Sequence, residues 1–139
     1  MKDNHNDMVP AVALNLQTVS SDTTTNGNII DLQGFESCEF VFVTGTVTDG
    51  DYAVLMHEGD AADLGDAAAI ADADLIGTEA LASFAADTDD NVLSKIGYKG
   101  GKRYVRLSVV SSSTSSGAVL GAVCIKGHPA HAPKSDQTP

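Results

Sequence analysis

The amino-acid sequence predicts an all-β protein, a single β-sandwich or jelly-roll-like domain with a short helical or irregular acidic crossover and flexible termini. Three observations predict this class. Apolar segments with period-two alternation recur along the 139 residues, and clusters of Gly, Asn, Asp and Ser separate them. Aromatic residues make up only 5% of the chain, and Trp is absent. About eight short strands with little helix are typical of sandwiches and jelly rolls.

The chain divides into three parts by composition. Residues 1–10 form a polar N-terminal arm, residues 11–127 the β-sandwich domain, and residues 128–139 a Pro-containing C-terminal tail. Because these two ends are mostly polar and show no alternation, we expect the arm and the tail to be flexible.

The first strands are predicted near the N-terminus of the domain. In "VALNLQTV", Val12, Leu14 and Leu16 share one face, which we expect to be buried. A turn at "NGN" precedes the short apolar stretch "NIIDL". The strongest strand prediction is "CEFVFVTGTV", where Cys38 shares a face with two phenylalanines and the other face is also apolar, so we expect a central strand. The turn "DGD" and the strand "YAVLMHE" then predict a hairpin with it.

The middle of the chain breaks the alternation. Residues 59–74 are acidic and rich in Ala, and two glycines and many Asp residues argue against a long helix. We therefore predict a crossover between two sheets that contains at most a short helical turn. The following "LIGTEALASF" predicts a strand, a turn and a second short strand.

The last strands follow the crossover. "VLSKIGY" and "YVRLSVV" predict a hairpin around "KGGKR", where Gly100 and Gly101 permit positive φ. In its second strand, Val105, Leu107 and Val109 face inward. "AVLGAVCIK" predicts the final strand, and Gly121 in it predicts a close backbone approach or a bulge.

Charge and hydropathy argue against several classes of partner. A net charge of -11 and a pI near 4.4 repel phosphate, so we expect no direct nucleic-acid binding. The start, "MKDNHNDMVP", lacks the apolar region of a secretory signal. The longest apolar runs are far shorter than the roughly 20 residues that span a bilayer, so we expect no membrane contact.

The sequence predicts no catalytic centre, cofactor or metal site. The acidic runs within 60–74 and 87–90 lack the Gly and the closing Glu of a calcium-binding loop, although a weak calcium site remains an alternative. His128 and His131 lie among prolines that exclude a helical zinc motif. We therefore expect a protein that is not an enzyme. Cys38 and Cys124 lie in apolar strands and are interpreted as buried thiols, while a disulfide would require neighbouring strands.

Positive charge is concentrated in one segment. Five of the eight Lys and Arg residues lie between positions 95 and 106, and eighteen of the nineteen acidic residues lie between positions 3 and 94. We interpret the segment as a protein-binding surface with aromatic and basic anchors. Its predicted residues are Tyr98, Lys99, Lys102, Arg103, Tyr104 and Arg106. The alternative is internal compensation by acidic loops, and both can hold in an oligomer.

The order of features over roughly residues 38–133 resembles small head-associated structural proteins of tailed bacteriophages. The stretches that carry the resemblance are "YAVLMHEGDAADLGDAAAIADADLIGT", "KIGYKGGKRYVRLSV" and "GAVLGAVCIKGHPAHAP". The resemblance implies a capsid decoration, or cement, protein: a homotrimer that binds the major capsid protein on the virion surface, assembled in the host cytoplasm. The alternatives are another virion subunit, such as a head-tail connector or tail tube, and a free-standing ligand- or glycan-binding sandwich.

Overall fold

The computed structural model describes residues 3–85, 89–132 and 134. It contains two antiparallel sheets that pack face to face, which confirms the predicted all-β sandwich. Sheet A has the strand order β1 (Met8–Val19), β11 (Ala118–Pro129), β4 (Phe35–Val47), β9 (Leu93–Tyr98) and β7 (Leu75–Ile76). Sheet B is built on β10 (Tyr104–Ser112) and β5 (Asp51–Gly59), with the short strands β2 (Thr24–Asn26), β3 (Ile30–Asp31), β6 (Ala68–Ala69) and β8 (Phe84–Ala85) at its edges.

The core lies between the sheets and follows the predicted alternation in the long strands. Val105, Leu107 and Val109 of β10 are fully buried, as predicted. In β4, Cys38, Phe40 and Phe42 point inward, and β4 is central, because β11 and β9 flank it on either side. Phe84 stacks on Tyr52 with ring centroids 4.7 Å apart, so aromatic packing joins the edge strand β8 to the core.

The first strand departs from the prediction because its alternation is interrupted. Ala13 and Leu14 are consecutive and both buried, whereas Val12 is 53% exposed and Leu16 is 73% exposed. The register against β11 shifts between Val12 and Leu14 and again between Leu14 and Gln17. An irregularity of one residue turns the following side chains to the opposite face. The predicted burial of Leu14 is therefore confirmed, and that of Val12 and Leu16 is wrong.

Both predicted hairpins are wrong. β4 and β5 belong to different sheets, and so do β9 and β10. Each tight connection crosses from one layer of the sandwich to the other, because β4 has β11 and β9 as its neighbours and β9 has β4 and β7. Gly100 and Gly101 do not adopt the positive φ that glycine permits, whereas Gly50 in the first of these connections has a φ of 95°.

The acidic crossover is mostly irregular, as predicted, with a 3-10 turn at Asp72–Asp74. After it the chain forms a one-turn helix, α1 (Glu79–Ala82), where the sequence predicted a turn between strands. Between β6 and β8, the Ser83 hydroxyl accepts a hydrogen bond from Val54 N–H and the Glu79 carboxylate accepts one from Met56 N–H. Side chains around α1 thus cover a stretch of the β5 edge that would otherwise lack partners.

Strand pairing extends into both predicted terminal segments. Met8 is opposite Gly127, and Pro10 is opposite Ile125, so β1 begins inside the predicted arm and β11 ends inside the predicted tail. Residues 1–2, 133 and 135–139 of those segments lie outside the described residues. No helix in the ranges that the structure covers has the length and hydropathy needed to cross a membrane.

Candidate functional site

A cavity of about 440 Å³ opens at one end of the sandwich, and we call it the end cavity. The β9–β10 connection forms one wall, and the start of β4 with the residues before it forms another. Four of the six predicted binding residues line this cavity: Tyr98, Lys99, Lys102 and Arg103. Tyr104 and Arg106 lie along β10 in sheet B. The two groups meet where the Arg103 guanidinium lies over the Tyr104 ring.

Tyr98 connects the two sheets beside the cavity. Its side chain is only 4% exposed, and its hydroxyl donates a 2.6 Å hydrogen bond to the Glu58 carboxylate on β5. The same oxygen accepts a 2.9 Å hydrogen bond from Lys102 N–H. Burial and the bond to Glu58 raise the pKa of Tyr98, so the phenol is protonated at neutral pH. Tyr98 is thus a structural link as well as a residue of the cavity wall.

Two of the predicted basic residues are paired with acids of the same chain. The Lys102 ammonium contacts the Asp60 carboxylate at 2.5 Å. The Arg103 guanidinium donates two hydrogen bonds to Asp31, at 2.9 and 2.7 Å, and lies 4.9 Å from the ring centroid of Tyr104. The hydrogen bond from Arg103 lowers the pKa of Asp31 below its usual range. These pairs correspond to the internal compensation that the sequence left as an alternative.

Lys99 and Arg106 differ from these two bases. Within the described residues, neither has a carboxylate close enough for an ion pair. Arg106 stands directly opposite His57 in the β10–β5 register. The Arg106 Nε and the His57 Nδ1 are buried and have no hydrogen-bond partner in the part of the chain that is described. Arg106 is therefore a half-buried cation whose charge is not paired by any of the described residues.

The outer face of sheet A carries an apolar patch that the sequence pattern did not predict. Val12, Val123 and Val41 lie in one row across β1, β11 and β4, and Val43 and Leu93 lie in the next row across β4 and β9. Leu16 packs over Gly121 beside them, which is the close approach that Gly121 predicted. We call these side chains the sheet A patch: Val12, Leu16, Val41, Val43, Leu93 and Val123.

The patch holds five of the ten exposed large hydrophobic side chains of the described residues. Seven of the ten exposed large hydrophobic residues belong to strands of sheet A. A sequence signal for the patch exists in "CEFVFV", because both faces of that stretch are apolar. The central position of β4 was inferred correctly from that signal. It did not show that the second face is open to solvent.

The two cysteines and the acidic residues have local roles. Cys38 and Cys124 are buried free thiols in neighbouring strands, as the sequence predicted for the thiols. Asp66 accepts hydrogen bonds from the N–H groups of Asp60 and Ala61, and Asp49 binds the backbone of the loop at 115–117. Over the ranges described, no group of three or more His, Cys, Asp and Glu side chains is arranged to hold a metal ion.

Comparisons with known proteins return little. No protein-family model matches the chain, and no curated protein matches it. Among solved structures, the chain is similar to a chain in the structure of infectious bursal disease virus, Gx strain, with 12% sequence identity and a TM-score of 0.40. The similarity covers 87% of this chain and 32% of the viral chain, so this protein spans about a third of that chain's length. A likeness of that size carries no inference about function.

Proposed function

We propose that this protein is a structural protein of a virion, without catalytic activity, that binds the assembled shell of a tailed bacteriophage as a homotrimer and stabilises it. The observation that supports this role best is the sheet A patch. An acidic, highly charged protein gains nothing in solubility from a flat group of exposed valines and leucines, and such groups commonly mark interaction sites. We assign the patch to the contact with the major capsid protein.

The size of the patch explains why an oligomer is needed. Its side chains span four strands, which are about 4.8 Å apart, and two rows along the strands, so the patch covers on the order of 200–300 Å². A specific interface usually buries about 800 Å² on each partner. One patch therefore binds weakly by itself, whereas three patches linked in one trimer bind with a high effective concentration.

Binding of this kind stabilises the shell by linkage. A protein that binds the mature lattice, and not the dissociated subunits, lowers the free energy of the lattice in proportion to RT ln(1 + [L]/Kd). No chemical step is required, and the protein acts through the free energy of binding alone. Arg106 lies on sheet B, away from the patch. Of the two bases that are not paired within the described residues, Lys99 at the end of β9 is therefore the one that supplies electrostatic complementarity to an acidic partner surface.

The test compares two variants with matched changes on opposite sheets. Val123→Glu places a charge in the sheet A patch, and Leu55→Glu places the same charge on sheet B at a residue of similar exposure, 37% against 40% for Val123. The purified full-length proteins are mixed with shells assembled from the major capsid protein of the virus that encodes the chain, and co-sedimentation is measured. We expect the wild type and Leu55→Glu to co-sediment and Val123→Glu to lose at least tenfold in affinity.

Native mass spectrometry and circular dichroism complete the test. We expect a trimer for all three proteins, with unchanged secondary structure. Equal co-sedimentation of Val123→Glu and the wild type would contradict the assignment of the patch. A folded Val123→Glu protein that no longer forms trimers would place the patch between copies of the chain. A hexameric ring would favour a tail-tube subunit instead.

A further inference from the structure

Cys38 and Cys124 form a pair of thiols that face each other in the core. Their Sγ atoms lie 3.2 Å apart, and both cysteines are free. Cys38 belongs to β4 and Cys124 to β11, which are adjacent strands of sheet A. The two sulfur atoms need to approach by only about 1 Å to reach the ~2.05 Å of a disulfide bond. A covalent bond between them would join the two strands that form the centre of the sheet.

The two thiols differ in their access to small molecules. Cys38 is 5% exposed and contributes to the wall of the end cavity, whose volume is about 440 Å³. The Cys124 side chain has no exposed surface. A small oxidant that enters the cavity therefore reaches Cys38 first, and Cys124 is in position to react with the product.

We propose that Cys38 and Cys124 are a redox-modification site, at which a peroxide that enters the end cavity converts the two thiols into a disulfide bond. The Cys38 sulfur attacks one oxygen of hydrogen peroxide, the O–O bond breaks, one water molecule leaves, and Cys38 becomes a sulfenic acid. The Cys124 sulfur then attacks the Cys38 sulfur, the S–O bond breaks, and the departing oxygen leaves as a second water molecule with the Cys124 proton. In total, two thiols and one hydrogen peroxide give one disulfide and two water molecules.

The first step is slow, because the thiolate is the form that attacks a peroxide. The contact with the Cys124 thiol and burial together raise the pKa of Cys38 far above its usual range. The pair therefore stays reduced where reductants are abundant and responds only to sustained oxidation. This chemistry stands independently of the proposed function. Its timing in a virion does rest on the proposed function: there the bond would form after release from a reducing cytoplasm.

The register of the strands limits the stabilisation that the bond provides. Cys124 is opposite Phe40 and Cys38 is opposite Lys126, so the cysteines are diagonal neighbours. Diagonal Cα atoms lie about 7–8 Å apart, slightly beyond the roughly 4.4–6.8 Å that a relaxed disulfide spans. The bond would close a loop between residues 86 positions apart, which favours a large gain. Forming the bond requires β4 and β11 to move closer together, which opposes that gain. We therefore expect Tm to rise by about 5–10 °C.

The experiment oxidises the folded full-length protein with hydrogen peroxide. The protein is then unfolded in acid, free thiols are alkylated with N-ethylmaleimide, and the mass is measured. We expect a monomer about 2 Da lighter than the reduced chain, with no alkyl groups, a higher Tm, and full reversal by dithiothreitol. In Cys124→Ala, oxidation should stop at a Cys38 sulfenic acid that dimedone labels. In Cys38→Ala, Cys124 should remain reduced under the same treatment.

Three results would overturn the proposal. The first is a wild-type protein that retains two alkylated thiols after a peroxide dose that fully oxidises the urea-unfolded chain. The second is a disulfide that joins two chains instead of forming within one. The third is oxidation of Cys124 in Cys38→Ala as fast as in the wild type, which would show that peroxide need not react with Cys38 first. The wild-type measurement decides the first two results even where an alanine variant fails to fold. Loss of shell binding would leave all of these readouts unchanged.

Discussion

Replacement of Tyr98 by Phe tests the idea that the sequence's basic segment contains a structural link between the sheets. The substitution keeps the buried ring and removes only the hydroxyl. That hydroxyl donates to the Glu58 carboxylate and accepts from Lys102 N–H. Because the side chain is 4% exposed, water does not readily replace the lost oxygen. Both former partners are left with one hydrogen bond fewer.

The expected loss follows from the type of bond. A hydrogen bond to a charged group contributes about 1.5–3 kcal/mol, so we expect Tyr98→Phe to lower the free energy of unfolding by roughly 2 kcal/mol. A chain of 139 residues has an unfolding entropy of about 0.3 kcal/mol/K at Tm, so Tm should fall by about 7 °C. Tyr104→Phe is the matched control, because Tyr104 is half-buried on β10 and its ring, not its hydroxyl, contacts Arg103. We expect its effect to stay within about 0.5 kcal/mol.

The pH dependence gives a second readout of the same contact. The native pKa of Tyr98 is raised above the usual 10.0. Its contribution to the free energy of unfolding is therefore complete below pH 10 and is lost as the pH rises further. Tyr52 has a raised pKa for the same reason of burial, so Tyr98→Phe should reduce the alkaline loss of stability without abolishing it. Urea unfolding followed by circular dichroism at pH 7 and between pH 10 and 11.5 measures both effects. A Tyr98→Phe protein as stable as Tyr104→Phe at pH 7 would refute the reasoning.

Two further predictions concern the loops. A methyl group on Gly27 would overlap the carbonyl oxygens of Ala13 and Leu107, one from each sheet, so Gly27→Ala should cost at least about 2 kcal/mol in thermal unfolding. Gly101→Ala meets nothing within 4 Å and should leave Tm almost unchanged, and equal Tm values for the two variants would contradict this account. Hydrogen bonds from the 115–117 loop lower the pKa of Asp49 below 3.8. The contribution of Asp49 to the free energy of unfolding is therefore present above pH 4 and lost as the pH falls. Asp49→Asn should therefore show lower stability at pH 7 and a shallower acid loss than the wild type in unfolding titrations.

The sequence predicted the layers of the fold better than the partners of its strands. Alternation identifies which side chains of a strand point inward, and it was right for Cys38, Phe40 and Phe42 of β4 and for β10, because the pairing is regular there. It contains no information about which strand lies beside which. The turns at 48–50 and 99–103 therefore looked like hairpin turns, whereas each of them crosses between sheets. Internal compensation of Lys102 and Arg103 was left as an alternative, but their specific partners could not be identified, since Asp60 and Asp31 are distant in sequence.

The sheet A patch depends on an irregularity in β1 that the sequence pattern did not predict, and on a glycine at which it predicted a close approach. The register shifts in β1 turn Val12 and Leu16 outward, and the absence of a side chain at Gly121 lets Leu16 lie across β11. Leu16 keeps 73% of its surface exposed in the isolated chain, although a polar residue at that position would remove the exposed apolar area at no cost to the core. The same holds for Leu93, which is 71% exposed at the other side of the patch. Apolar side chains at both ends of one flat face are consistent with a surface that becomes covered on assembly. Leu16→Gln should accordingly leave the stability of the isolated protein unchanged and weaken shell binding.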